Sequence, residues 1–153
     1  MDENFVKPIL LIGYGNTLRS DDGVGHFIAD KLADKLQDKI DIIKATQVTV
    51  EMVEDIKDRK FVIFVDAHVS DKEDWLRMEE VLPDFKFGMT AHIFTPGALL
   101  ALCEEIYNKY PKAYLFSIKG INYDFGDELS EQTKRSAEIA IKQITELVQK
   151  LIQ

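Results

Sequence analysis

A pair of adjacent carboxylates, Asp21 and Asp22, is the first candidate for chemistry in this sequence. The pair lies in the glycine-rich stretch GYGNTLRSDDGVG (13–25), which directly follows the apolar run PILLIG. Glycine adopts positive φ angles and lets backbone segments approach closely, so the stretch predicts a tight loop around the acids. A simple turn does not require two adjacent acids, and a phosphate-binding loop disfavours them because the charges repel.

A third acid and two histidines extend the candidate set. Asp66 ends the apolar run KFVIFVDA (60–67), and His68 follows two residues later. His92 lies in GMTAHIFTPGALL, just before a predicted helix. Imidazole suits nickel, zinc and copper, while carboxylates add negative charge, so this set predicts a site for a divalent transition metal. Spacing alone leaves the choice between His68 and His92 open.

Other kinds of site fit the sequence less well. A dinucleotide fingerprint requires a small residue where Leu18 stands, and no Gly-Lys-Ser/Thr follows as in a P-loop. Helix capping by Asp21 or Asp22 explains one acid but not both. The sequence lacks an H-E-x-x-H motif, and no serine has an evident histidine partner. The only cysteine, Cys103, lies in the apolar helical pattern LLALCEEI, which predicts a core position.

Apolar runs typical of buried strands alternate along the chain with stretches of helical periodicity. Strands are predicted at 8–13, 39–46, 60–67, 75–81 and 113–118, the fourth of them at an edge; helices are predicted at 24–36, at 50–56, from the cap Thr95 and from Ser130. This alternation predicts an α/β fold, a three-layer α/β/α sandwich with a twisted, mainly parallel sheet of about five strands.

The predicted fold also indicates where the acids meet. In open α/β sheets, ligands bind beyond the carboxyl ends of the strands, at the point where the winding reverses. A strand order of 2-1-3 makes the first and third strands neighbours. Asp21 and Asp22, which follow the first strand, would then converge with Asp66 at one edge of the sheet.

Length and composition limit the class of protein. The 153 residues suit one domain spanning 1–153 with a substantial core. A net charge of −8 argues against nucleic acid or an anionic membrane as a partner, because both attract clustered Lys and Arg. The sequence has a single cysteine, and it shows neither the basic and then apolar pattern of a signal peptide nor a run long enough to span a membrane. These features favour a cytoplasmic protein.

Three segments together resemble one known family. GYGNTLRSDDGVG is similar to the G-x-G-N-x-L-x-x-D-D/E-G-x-G signature of the hydrogenase maturation endopeptidases, the nickel-dependent proteases that finish the large subunit of [NiFe] hydrogenases. FVIFVDAHVS and TAHIFTPGALLAL resemble the second acidic strand end and the histidine loop of that family. The segments occur in the same order and at similar spacing along nearly the whole chain.

The resemblance implies a specific activity and site. It implies an endopeptidase that removes the C-terminal extension of a hydrogenase large-subunit precursor after nickel insertion, in the cytoplasm. By position, the implied metal-binding and catalytic residues are Asp22, Asp66 and His92. The nickel is supplied by the substrate, although other divalent metals are able to occupy such a site. Asp21 and Asp66 both remain candidates for the general base. A non-catalytic metal- or nucleotide-binding α/β module, or an interaction protein, is the alternative.

Overall fold

The structure, a computed structural model, describes residues 6–69, 74–85 and 94–153. Its five strands form one sheet with the order β2-β1-β3-β5-β4. Strands β2, β1, β3 and β5 run parallel to one another, while β4 pairs antiparallel with β5 at one edge. The strands are β1 (Ile9–Tyr14), β2 (Asp41–Ala45), β3 (Phe61–His68), β4 (Leu76–Val81) and β5 (Lys112–Lys119). The predicted mainly parallel sheet, the 2-1-3 order and the edge strand are confirmed.

Helices cover both faces of this sheet. They are α1 (Val24–Leu36), α2 (Val53–Ile56), α3 (Pro96–Tyr107) and α4 (Glu131–Leu151). Side chains of α1 and α4 pack with Leu11 and Val65 on one face, and those of α2 and α3 pack with Ile12 and Phe64 on the other. Because successive strand side chains point to opposite faces, β1 and β3 contribute to both cores. The three-layer architecture is therefore confirmed.

The start of α3 follows the predicted local chemistry. The Thr95 hydroxyl accepts a hydrogen bond from the Ala98 amide at 3.0 Å, and Pro96 occupies the first helical position. The helix ends at Tyr107, and the next residue, Asn108, adopts the left-handed conformation with φ 56°. Cys103, a residue of this helix, is fully buried in the core, as predicted.

The segment 50–56 is less regular than predicted. A single 3₁₀ turn, Val50–Met52, precedes the four residues of α2. Within the described ranges, no helix combines the length and the apolar character that crossing a membrane requires.

Candidate active site

The carboxyl ends of β1 and β3 bring the candidate acids to one edge of the sheet. Gly13 pairs with Val65, so the next residues, Tyr14 and Asp66, occupy neighbouring positions on the same face. Asp22 lies in the 3₁₀ turn Ser20–Gly23 that follows β1, and its carboxylate accepts a hydrogen bond from the Asn16 amide at 2.7 Å. The two acids from distant parts of the sequence therefore share one site.

The protonation of Asp66 reflects this environment. Burial raises the pKa of Asp66 to about 7; the Ala67 amide, 2.7 Å from the carboxylate, opposes the shift, and the negative charge of Asp22 adds to it. The hydroxyl of Tyr14 donates a hydrogen bond to the carboxylate and partly offsets the rise in pKa. Near neutral pH this carboxyl group is thus able to hold or release a proton.

Tyr14 is a member of the site that sequence reasoning missed. Its side chain packs against the core beneath α3, on the face that also carries Asp66. Burial and the charge of Asp66 raise the pKa of Tyr14 far above its usual value, so the hydroxyl remains a proton donor. The alternation of side chains along β1 and β3 was the available signal, because it places residues 14 and 66 on one face.

Replacing Tyr14 by phenylalanine is expected to raise the pKa of Asp66 further above about 7. The substitution removes a hydrogen bond that favours the ionised carboxylate, while the ring keeps its packing. Carboxyl ¹³C NMR titration of metal-free protein measures the change, and Tyr114→Phe, in β5, is the matched control. An unchanged titration of Asp66 in the Tyr14→Phe variant would show that this hydroxyl does not act on the carboxylate.

Asp21 has a structural task distinct from that of its neighbour. Its side chain is fully buried and accepts hydrogen bonds from the amides of Ile121, Asn122 and Ser130 and from the Ser130 hydroxyl, at 2.7–3.0 Å. Burial alone would raise the pKa of Asp21, but these donors hold it below its usual value. The carboxylate thereby fixes the glycine loop to the segment between β5 and α4.

The helix-capping interpretation of the acid pair is wrong. Helix α1 begins at Val24 after Gly23, and no side-chain hydrogen bond caps its first turn. Asp21 instead binds residues about 100 positions away, and Asp22 binds the loop amide of Asn16. The two adjacent acids therefore serve two different parts of the structure.

Asp21→Asn is expected to destabilise the protein by about 2–3 kcal/mol at neutral pH, because an amide group cannot accept all four hydrogen bonds. Since the folded-state pKa of Asp21 lies below its unfolded value, its stabilisation is present above the unfolded pKa and is lost as pH falls through the folded one. Urea unfolding of both proteins between about pH 7 and pH 3 should therefore show the difference shrinking towards acid. A difference independent of pH would contradict this role.

Tyr123 lies beside all three acids and was also missed. Its hydroxyl donates to the His68 carbonyl at 2.9 Å. Burial raises the pKa of Tyr123 to about 12, and the charges of Asp22, Asp21 and Asp66 add to the effect. The segment after β5 carried no sequence pattern that indicated this position.

The described histidines make contacts to backbone carbonyls. The Nε2 atom of His26 lies 2.8 Å from the Ala45 carbonyl oxygen, and that of His68 lies 3.1 Å from the Asp74 carbonyl oxygen. His92 falls outside the described residues, so its predicted place in the site stays a prediction. Within 6–69, 74–85 and 94–153, no three His, Cys, Asp or Glu side chains are grouped so as to hold a metal ion.

Solved structures of hydrogenase proteases share this architecture. The hydrogenase maturating endopeptidase HybD from E. coli is 22% identical, with a TM-score of 0.78 over 93% of this chain and 92% of that protein. The [NiFe] hydrogenase maturation protease HybD from Thermococcus kodakarensis is 21% identical, with a TM-score of 0.71 over 92% and 98% of the two chains. The [NiFe] hydrogenase maturation protease HycI from the same organism is 21% identical, with a TM-score of 0.72 over 95% of each chain.

The comparison is one of structure. No protein-family model and no curated protein matches the sequence. The agreement extends over nearly the whole length of both chains in each pair. The chain therefore has the fold of the hydrogenase maturation endopeptidases.

Proposed function

We propose that the chain is an endopeptidase that removes the C-terminal extension of a [NiFe] hydrogenase large-subunit precursor after nickel has been inserted. The observation that carries the proposal is that Asp22, in the turn after β1, lies near Asp66 at the carboxyl end of the neighbouring β3, in a fold shared with proteins of that activity. Its partner is the precursor, and its compartment is the cytoplasm, which suits a chain whose only cysteine is free and buried.

In this proposal Asp22, Asp66 and His92 bind the nickel that the precursor already carries and form the catalytic site with it. Two carboxylates and one imidazole suit a divalent transition metal and leave coordination positions for the substrate's own ligands. Cation binding would lower the pKa of Asp66 and release its proton. Asp22, Asp66 and His92 would hold the nickel together with the precursor and so position the peptide bond to be cut, and the metal would supply Lewis-acid chemistry at that bond.

The free enzyme should hold metal weakly and fold without it. Its two cores on opposite faces of the sheet consist of ordinary apolar side chains, unlike those of a small zinc domain. A site that bound free nickel tightly would already be occupied when the nickel-bearing precursor arrived. Protein treated with chelator should consequently unfold at the same temperature as untreated protein.

Incubation with a nickel-loaded large-subunit precursor tests the proposal, with intact-mass measurement of both proteins. We expect the precursor to lose its C-terminal extension in one cut and the enzyme mass to stay unchanged. The Asp66→Ala variant is the control for contaminating proteases. An intact precursor after prolonged incubation would contradict the proposal and favour the alternative of a non-catalytic metal-binding module.

A further inference from the structure

Four exposed apolar side chains lie on the segments next to the acids: the loop that carries Asp21 and Asp22, the residue after β3, and the segment after β5. They are Leu18, Val69, Ile121 and Phe125, which we call the apolar rim. Their exposed fractions range from 55% for Leu18 to 87% for Phe125. Single exposed apolar residues are common on protein surfaces, whereas apolar side chains that adjoin one another mark interaction sites.

Backbone hydrogen bonds hold the segments of the apolar rim together. The Gly126 amide donates to the Leu18 carbonyl at 2.8 Å, and the Ser20 amide donates to the Gly126 carbonyl at 2.8 Å. The Gly120 amide donates to the His68 carbonyl at 2.9 Å, which ties the segment carrying Val69 to the one carrying Ile121. The rim is thus presented by a bonded platform, so little conformational entropy is lost when a partner binds.

The same platform adjoins the acids. Leu18 and Asp22 belong to one loop, and the Ile121 amide bonds the carboxylate of Asp21. Tyr123 lies between Ile121 and Phe125 in the sequence, and the charge of Asp22 helps to raise the pKa of its hydroxyl. The part of the apolar rim that follows β5 is therefore bonded directly to the loop that carries Asp21 and Asp22.

The charges around the rim indicate what kind of segment fits. Asp124, Asp127 and Glu128 are exposed on the same loop as Phe125, in a chain whose net charge is −8. Arg19 directs its Nε towards the Tyr123 carbonyl at 3.1 Å. An apolar contact surface bordered by carboxylates is complementary to apolar side chains flanked by Lys or Arg.

We propose that the apolar rim binds a stretch of the protein substrate next to the cleaved bond, one with apolar anchors and flanking basic residues. This inference rests on the proposed function and assigns the recognition of the polypeptide, apart from its nickel, to these side chains. Buried apolar contacts at the centre of an interface, with charges at its edge, are the usual source of such binding energy.

Steady-state cleavage of nickel-loaded precursor by the double variant Leu18→Ala/Phe125→Ala tests the inference. Both side chains are largely exposed, so the fold should be retained. We expect KM to rise about tenfold or more, with kcat within about twofold of wild type. For wild type, KM should also rise as salt increases from about 50 to about 300 mM, because the basic flanks are screened.

The matched control is Ile139→Ala, an exposed apolar residue of α4 whose side chain is 54% accessible. A double variant with the same KM as this control would overturn the inference while leaving the proposed function intact. Wild type that dimerises in sedimentation, with a monomeric double variant, would likewise overturn it and assign the rim to self-association. Wild type that leaves the precursor uncut would instead overturn the proposed function.

Discussion

Asp22→Ala and Asp66→Ala are each expected to reduce precursor cleavage by about 10³-fold or more. In the proposed site both carboxylates bind one metal ion, so removing either one takes away one ligand of the substrate nickel and loosens the position of the scissile bond. Single-turnover cleavage of nickel-loaded precursor, with enzyme in excess, measures the loss. Wild-type rates in either variant would contradict the proposed site.

The loss should not arise from unfolding, and Asp66→Asn provides the check. Because the pKa of Asp66 is raised to about 7 in the folded metal-free protein, its contribution to stability is present below the unfolded pKa and is lost as pH rises through about 7. Asp66→Asn should therefore melt no lower than wild type at about pH 8.

Cys103→Ala should retain activity; a folded but inactive Cys103→Ala would point to a thiol nucleophile instead.

The choice of histidine makes a separate prediction. His92→Ala should be as inactive as the aspartate variants, whereas His68→Ala should retain most of its activity. The ring of His68 already contacts the Asp74 carbonyl, and its backbone carbonyl accepts the Tyr123 hydroxyl. The same single-turnover assay decides between them, and an active His92→Ala beside an inactive His68→Ala would reverse the assignment.

Gly15→Val is expected to destabilise the protein by about 3–5 kcal/mol, the largest loss of stability for any loop substitution proposed. Gly15 has a φ of 143°, and a Cβ there would lie 2.0 Å from the backbone carbonyl oxygen of Asp22. Neither the angle nor the contact can be relieved without moving the turn that carries Asp22. Urea unfolding measures the loss, and cleavage should fall with it.

Gly23→Ala is the matched control for this prediction. Its φ is −82°, and a Cβ would lie 3.2 Å from the Thr17 Cα. The sequence predicts a positive φ or a close backbone approach at Gly13, Gly15 and Gly23. Gly15 confirms both, and Gly13 confirms the close approach, because a Cβ there would lie 2.4 Å from the Gly25 carbonyl oxygen. Gly23 has an ordinary φ and only the longer contact. Equal losses for Gly15→Val and Gly23→Ala would show that backbone strain at Gly15 is not the cause.

The fold was predictable because parallel strands that are buried on both faces appear in the sequence as continuous apolar runs. Their order was predictable because strands that follow one another along the chain usually lie close together in the sheet. The convergence of Asp22 and Asp66 followed from that order. Tyr14 was missed although its face on β1 was predictable, since only the tertiary structure shows its hydroxyl reaching Asp66. The bonds from Asp21 to Ser130 join positions 109 residues apart, and no local pattern indicates a contact of that kind.

Parallel cleavage assays on nickel-loaded and nickel-free precursor test the central claim most directly. Both precursors are incubated with chelator-treated enzyme at equal concentrations, and the loss of the C-terminal extension is followed by intact mass. If Asp22 and Asp66 recognise the substrate through its nickel, the loaded precursor is cut and the nickel-free precursor stays intact. Equal cleavage of both precursors, or tightly held metal that survives chelation of the enzyme, would contradict the account and indicate a resident catalytic metal.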